Sequence, residues 1–224
     1  MVEYFDAHCH LPVALVPDSQ IGMIVNSAKF SEFDSVSEIS AANQNVYGAI
    51  GIHPWYIHQI PTDWDSQLYN RLIARPDLMV GEVGLDSHRP NIGAQLHIFE
   101  RQFEIACDLH RGVHVHCVGA WDKMFTVLKR YAAQLPPFIL FHRYSGAVSD
   151  IAGLAATYNA YFSYSGSHGP KRIIATPATR ILSETDSAPG ASIIDVVSGL
   201  SAVSGLSPAI FVNNAQEMVK KCHD

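Results

Sequence analysis

The chain has 224 residues, 48% apolar and 16% charged, with a net charge of −6. That suits one α/β domain spanning 1–224 with a substantial core, and it excludes a protein that grips a nucleic-acid backbone by a basic patch alone. No apolar run approaches the ~20 residues of a membrane span, Glu3 and Asp6 interrupt the start where a leader would be apolar, and Cys9, Cys107, Cys117 and Cys222 lack the close spacing of a zinc knuckle, so a cytoplasmic protein with free thiols is expected.

Short apolar runs predict strands over 3–8, 21–26, 46–52, 79–82, 113–116, 138–142, 160–164 and 180–184. Helical periodicity is expected over 33–43, 64–74, 92–110, 121–133, 148–158, 170–176, 192–204 and 208–222. Strand–helix alternation implies a parallel sheet, and eight repeats imply a TIM-like (β/α)8 barrel, with an open doubly wound sheet as the alternative. The first connection, 11–20, has ten residues including Pro12 and Pro17. A crossover with its helix needs at least ~10–12 residues, so the barrel is expected to be irregular there, without a full helix.

Twelve histidines are many for this chain, and histidine is the commonest metal ligand. His8 and His10 lie two apart in Asp-Ala-His-Cys-His (6–10), so on a strand they share a face and can chelate one cation. Taken alone, the pair fits two buried, hydrogen-bonded histidines equally well. Glu82, His116 and His142 end strands four, five and six, and Asp186 follows strand eight. Barrel enzymes build their sites at these C-terminal strand ends. Imidazoles and carboxylates gathered on one rim are costly to bury without cations. The mixed donors suit Zn or Mn, and Mg less well.

The segments Asp-Ala-His-Cys-His-Leu (6–11), Gly-Ile-His-Pro (51–54), Gly-Glu-Val-Gly-Leu-Asp (81–86), His142 with Ser145-Gly146, and Glu-Thr-Asp-Ser (184–187) resemble the successive motifs of the TatD family. Gln95, Phe99 and Asn213-Asn214-Ala215 resemble its weaker signatures. The resemblance implies a two-metal hydrolase of phosphodiester bonds, typically a 3′-to-5′ deoxyribonuclease, with DNA or another phosphodiester as substrate. It implies that His8 and His10 hold one divalent cation with Asp186, that His116 and His142 hold the second, and that Glu82 bridges them. His53 resembles a site histidine that does not bind metal.

Three departures from the family pattern stand out. Cys117-Val118-Gly119 replaces the small residue and Arg-Asp pair that follow the strand-five histidine, Arg143 replaces a cysteine, and Ser187-Ala188-Pro189-Gly190 replaces a longer basic loop. Arg143, His53 and Trp55 are therefore candidate substrate contacts. Glu184 is a candidate catalytic residue behind the ligands, and Asp86 either orients a ligand histidine or caps a turn. His114 reads best as a core histidine, and His58, His97 and His110 as surface residues. A metal-dependent amidohydrolase or lactonase, and a non-catalytic binding protein of this family, are the competing readings.

Overall fold

The computed structural model describes residues 2–11, 20–166, 169–186 and 191–222. Eight parallel strands form one sheet in chain order: β1 (Tyr4–His10), β2 (Ile21–Asn26), β3 (Val46–Ile50), β4 (Met79–Asp86), β5 (Val113–Val118), β6 (Ile139–Phe141), β7 (Ala160–Tyr164) and β8 (Ile181–Ser183). The helices between and after them are α1 (Phe33–Ala42), α2 (Trp64–Ala74), α3 (Ile92–Asp108), α4 (Trp121–Arg130), α5 (Ile151–Thr157), α6 (Pro170–Ala175), α7 (Ile193–Ser204) and α8 (Pro208–Lys220). The end of the chain returns to β1. Asp186 N donates to His8 O at 2.9 Å, Asp186 bridges Cys9 in parallel register, and Ser183 Oγ donates to Phe5 O at 2.8 Å. The sheet is thus a nearly closed barrel, the architecture expected. The expectation for 11–20 falls outside the described residues except at its two ends.

Strands buried on both faces read as near-continuous apolar runs, and β4 is buried along its whole length. Helices cover the outside with one apolar face each. In α4, Met124, Val127 and Leu128 face inward, while Asp122, Thr126 and Lys129 fall on the opposite, exposed side. Proline opens α6 and α8, where the missing N–H has no intrahelical partner to lose. Two buried glutamines of α3 tie the strand ends. Gln102 accepts from Ile52 N (2.7 Å) and donates to Ile52 O (3.1 Å), and Gln95 makes the same pair of bonds to Asp86 (2.8 and 3.1 Å). Among the described residues no single helix is long and apolar enough to cross a membrane.

Two strands carry an extra residue at the positions that matter. Asp6 to Cys9 is three steps along β1 against two along β2 (Met23 to Val25), and Val80 to Val83 is three along β4 against two along β5 (Val113 to Val115). Such bulges re-aim side chains. His8 lies within the first and Glu82 within the second.

Candidate metal centre

The Glu82 carboxylate, only 3% exposed, is the hub. Its two oxygens face different partners. Oε2 lies 2.8 Å from His10 Nε2 and 3.4 Å from His8 Nε2. Oε1 lies 2.7 Å from His142 Nε2, 3.0 Å from His116 Nδ1 and 3.2 Å from His53 Nε2. Asp186 Oδ1 is 3.7 Å from His10 Nε2. His8, His10, Glu82, His116, His142 and Asp186 therefore lie in one cluster, and His53 lies with them. Three overlapping donor sets are close enough to take a cation: His8, His10 and Glu82; His8, His142 and Asp186; His53, Glu82 and His116.

Burial alone would raise the Glu82 carboxyl. The imidazoles of His142 and His53, with contacts from His10 and His116, instead hold it well below the usual carboxylate range. The converse holds for two of its partners. Burial works against charge on His142 and His10, but Glu82 outweighs it, raising His142 to about 9 and His10 above its ordinary value. His8 goes the other way, to about 3, because it is buried and stacks on His142 with ring centres 4.1 Å apart. The metal-free cluster is thus a carboxylate balanced by shared imidazole protons, and cations entering it would displace those protons. The donor set fits divalent metal. Glu82 Oε1, faced by three imidazole nitrogens, is buried without a hydrogen bond of good geometry.

The outward ring nitrogens decide what each imidazole can do. His10 Nδ1 lies 2.9 Å from Asn26 O, which can only accept, so its Nε2 is free for a cation. His53 is the reverse. Its Nδ1 accepts from Trp55 N at 3.2 Å, so a neutral His53 carries its proton on Nε2, aimed at Glu82. Burial lowers its pKa and keeps it neutral. His116 Nε2 faces Asp86 Oδ2 at 3.6 Å, and His142 Nδ1 faces Glu184 Oε2 at 3.9 Å. Asp86 also accepts from Trp55 Nε1 (2.7 Å) and His88 N (2.9 Å), so it both faces a cluster histidine and holds a turn.

A sequence model of TatD-related DNases matches residues 5–220. The chain belongs to this family. Among curated relatives, it is 26% identical to the 3′-5′ ssDNA/RNA exonuclease TatD of Pantoea ananatis over 74% of this chain and 67% of that protein. It is 29% identical to the uncharacterized metal-dependent hydrolase MG009 of Mycoplasma genitalium over 83% and 81%. The fold matches the crystal structure of YjjV, a TatD homologue from Escherichia coli K12, with a TM-score of 0.83 at 20% identity, covering 98% and 97% of the two chains. The chain is thus a TatD-family metal-dependent hydrolase. The match spans about two thirds of the length of the curated exonucleases.

Within this TatD barrel the rim carries the departures. Arg143, 46% exposed on its side chain, donates from Nη1 to Asp186 Oδ2 at 2.8 Å. Both residues have left-handed backbones, with φ of 42° and 54°, a conformation that costs a non-glycine residue of order 1–3 kcal/mol and clusters at functional sites. Glu184 holds the turn. It accepts from Arg143 N (2.8 Å) and Ser163 Oγ (2.5 Å), and burial raises it to about 7 despite His142. A cavity of about 560 Å³ opens over the cluster, lined by Lys29, His53, Trp55, Tyr56, Arg143 and Ser145 among others. Trp55 is 42% exposed, with its indole N–H on Asp86 and Arg89 over its ring at 4.0 Å.

His58, His97 and His110 lie on the surface, and His88 is exposed with its backbone N–H on Asp86. His168 and residues 187–190 lie outside the described residues. Two contacts go beyond the sequence reading, which placed His114 in the core, as found, but gave it no partner. Asp6, raised to about 6 by burial, accepts from Thr185 N (3.0 Å) and Thr185 Oγ1 (2.5 Å), fastening the segment that presents Asp186. His114 lies directly beside His8. Its spacing two before His116 puts both on one strand face, which was the available signal.

Proposed function

We propose that the cluster holds two divalent cations, Zn or Mn by its donors, and that the chain hydrolyses phosphodiester bonds in single-stranded nucleic acid, in the manner of an exonuclease. The observation that carries this is the division of Glu82: Oε2 faces His8 and His10, Oε1 faces His116 and His142. A carboxylate so divided suits a bridge between two cations, with Asp186 completing the His8–His10 side. The curated relatives named as single-stranded DNA and RNA exonucleases support the substrate class. When bound, such cations supply Lewis acidity to phosphoryl oxygens and lower the pKa of water.

The chain's own residues do the rest. His53, a neutral donor whose Nε2–H points at Glu82, lines the cavity where a phosphoryl oxygen would compete for that proton. Arg143, on Asp186 in this structure, stands at the cavity mouth and takes up phosphate in place of the strand-five arginine that the family pattern would supply. Glu184 keeps the Arg143 turn in place. Trp55 offers its free face to a base.

The test is a screen of the metal-reconstituted protein against short single-stranded DNA, RNA, a simple phosphodiester, and amides and lactones. Hydrolysis of the phosphodiesters is expected. Arg143→Ala should raise KM roughly tenfold or more, the worth of a charge-assisted hydrogen bond, with kcat little changed. Turnover of amides or lactones alone would overturn the reading in favour of an amidohydrolase, and no turnover at all would favour a binding protein.

A further inference from the structure

Three cluster imidazoles turn their outward nitrogen toward a carbonyl or carboxyl oxygen: His10 toward Asn26 O at 2.9 Å, and at longer range His116 toward Asp86 (3.6 Å) and His142 toward Glu184 (3.9 Å). His8 is different. Its Nε2 faces Glu82 and lies 3.2 Å from His10 Nε2, while its Nδ1 lies 3.4 Å from Nδ1 of another imidazole, His114. An imidazole can donate or accept, so this contact leaves the proton's place open until something at Nε2 decides it.

A cation at His8 Nε2 needs the lone pair there, so the ring proton of His8 must sit on Nδ1. Two N–H groups cannot face each other across 3.4 Å, so His114 must then offer the lone pair of its own Nδ1. We propose that His114 is a positioning residue: it accepts from His8 Nδ1–H and so holds His8 in the tautomer that presents Nε2 to the metal centre. This rests on the metal-centre reading above.

The packing leaves His114 little freedom to do otherwise. Both rings are fully buried, and they stack with centres 5.6 Å apart at 26°. The edge of His114 meets Phe138 at 6.0 Å and 67°. A Cβ at Gly81 would come within 2.6 Å of His114 Cβ, so the ring's seat under β4 depends on glycine there. The acceptor role has a consequence the structure also shows. With Nδ1 accepting, the proton of a neutral His114 sits on Nε2, and that nitrogen is buried with no hydrogen-bond partner. Leucine would fill much of this volume without an orphaned N–H; histidine adds an acceptor beside His8. The arrangement is that of an outer partner that fixes a metal-binding imidazole's tautomer, with a ring nitrogen where a carboxylate or carbonyl is usual.

The test compares His114→Leu, which fills the space without an acceptor, with His114→Asn, whose Oδ1 stands where Nδ1 stood. Zinc affinity is measured by chelator competition, and the His8 nitrogen-15 shifts are read in the zinc-loaded parent. The leucine variant should bind zinc 10–100-fold more weakly, the range for losing such a partner. Asparagine should restore most of that, and His8 should carry its proton on Nδ1. Parent-like zinc affinity in a folded His114→Leu, or a proton on His8 Nε2 in the loaded parent, would overturn the proposal alone. A parent that takes up no zinc would overturn the metal-centre reading with it. Should the leucine variant fail to fold, the asparagine affinity and the His8 tautomer decide: a large loss with asparagine, or the wrong tautomer, counts against it.

Discussion

Glu82→Gln is expected to leave the barrel folded while cation binding at the cluster and phosphodiester hydrolysis are both lost. The substitution keeps the shape of the side chain but removes the charge that five imidazole nitrogens within 3.4 Å surround. A single preorganised electrostatic partner is worth about 10²–10³ in turnover, and a carboxylate shared by two cations should exceed that. Elemental analysis, circular dichroism and a nuclease assay check the three parts. Glu184→Gln is the control. Its amide oxygen can still accept from Arg143 N while its amide N–H donates to Ser163 Oγ, so it should keep its metal and lose less turnover.

The same substitution changes how the metal-free protein responds to pH. Glu82 raises His142 from an ordinary 6.5 to about 9. The folded state therefore holds a proton that the unfolded chain has released, and this contribution to stability is complete below pH 6.5 and lost as pH rises through about 9. Glu82→Gln should bring the His142 titration down, readable by NMR, and flatten that part of the stability profile.

The second large effect is expected at Gly84. Its φ is +148°, and it pairs with His116 across β4 and β5. A Cβ there would lie 1.9 Å from the His116 carbonyl oxygen, which is backbone and cannot swing away. Gly84→Ala must separate the two strands that carry Glu82 and His116, or distort both. The loss should exceed ~4 kcal/mol, in the exceptional range for one substitution, or the chain should fail to fold. Gly153 in α5 is the contrast. Nothing lies within 4 Å of its added Cβ, so Gly153→Ala should gain up to about 1 kcal/mol. Denaturant unfolding of both variants checks the difference.

The barrel was legible because its strands are apolar on both faces and its helices on one. The strand ends were less so. β1, β4 and β5 run to His10, Asp86 and Val118, beyond the predicted 8, 82 and 116. A polar residue facing into a barrel mouth still pairs its backbone, so polarity marks the site without ending the strand. β6 and β8 are shorter than predicted, at Ile139–Phe141 and Ile181–Ser183, because the chain turns into the left-handed residues Arg143 and Asp186 soon after. The gathering of His8, His10, Glu82, His116, His142 and Asp186 followed from their places in or just beyond the ends of β1, β4, β5, β6 and β8. The bulges at His8 and Glu82, the Asp6–Thr185 clasp and the His8–His114 contact did not. The bulges and the clasp depend on register and on partners as distant as residues 6 and 185, which no local pattern encodes, while the spacing of His114 and His116 marks a shared face but not the partner across the barrel.

The most direct measurement of the central claim is anomalous scattering from crystals equilibrated with zinc or manganese. Two peaks flanking the Glu82 carboxylate are predicted, one against His8, His10 and Asp186 and the other against His116 and His142. A single peak, or peaks that leave Glu82 unshared, would contradict the bridged two-cation centre.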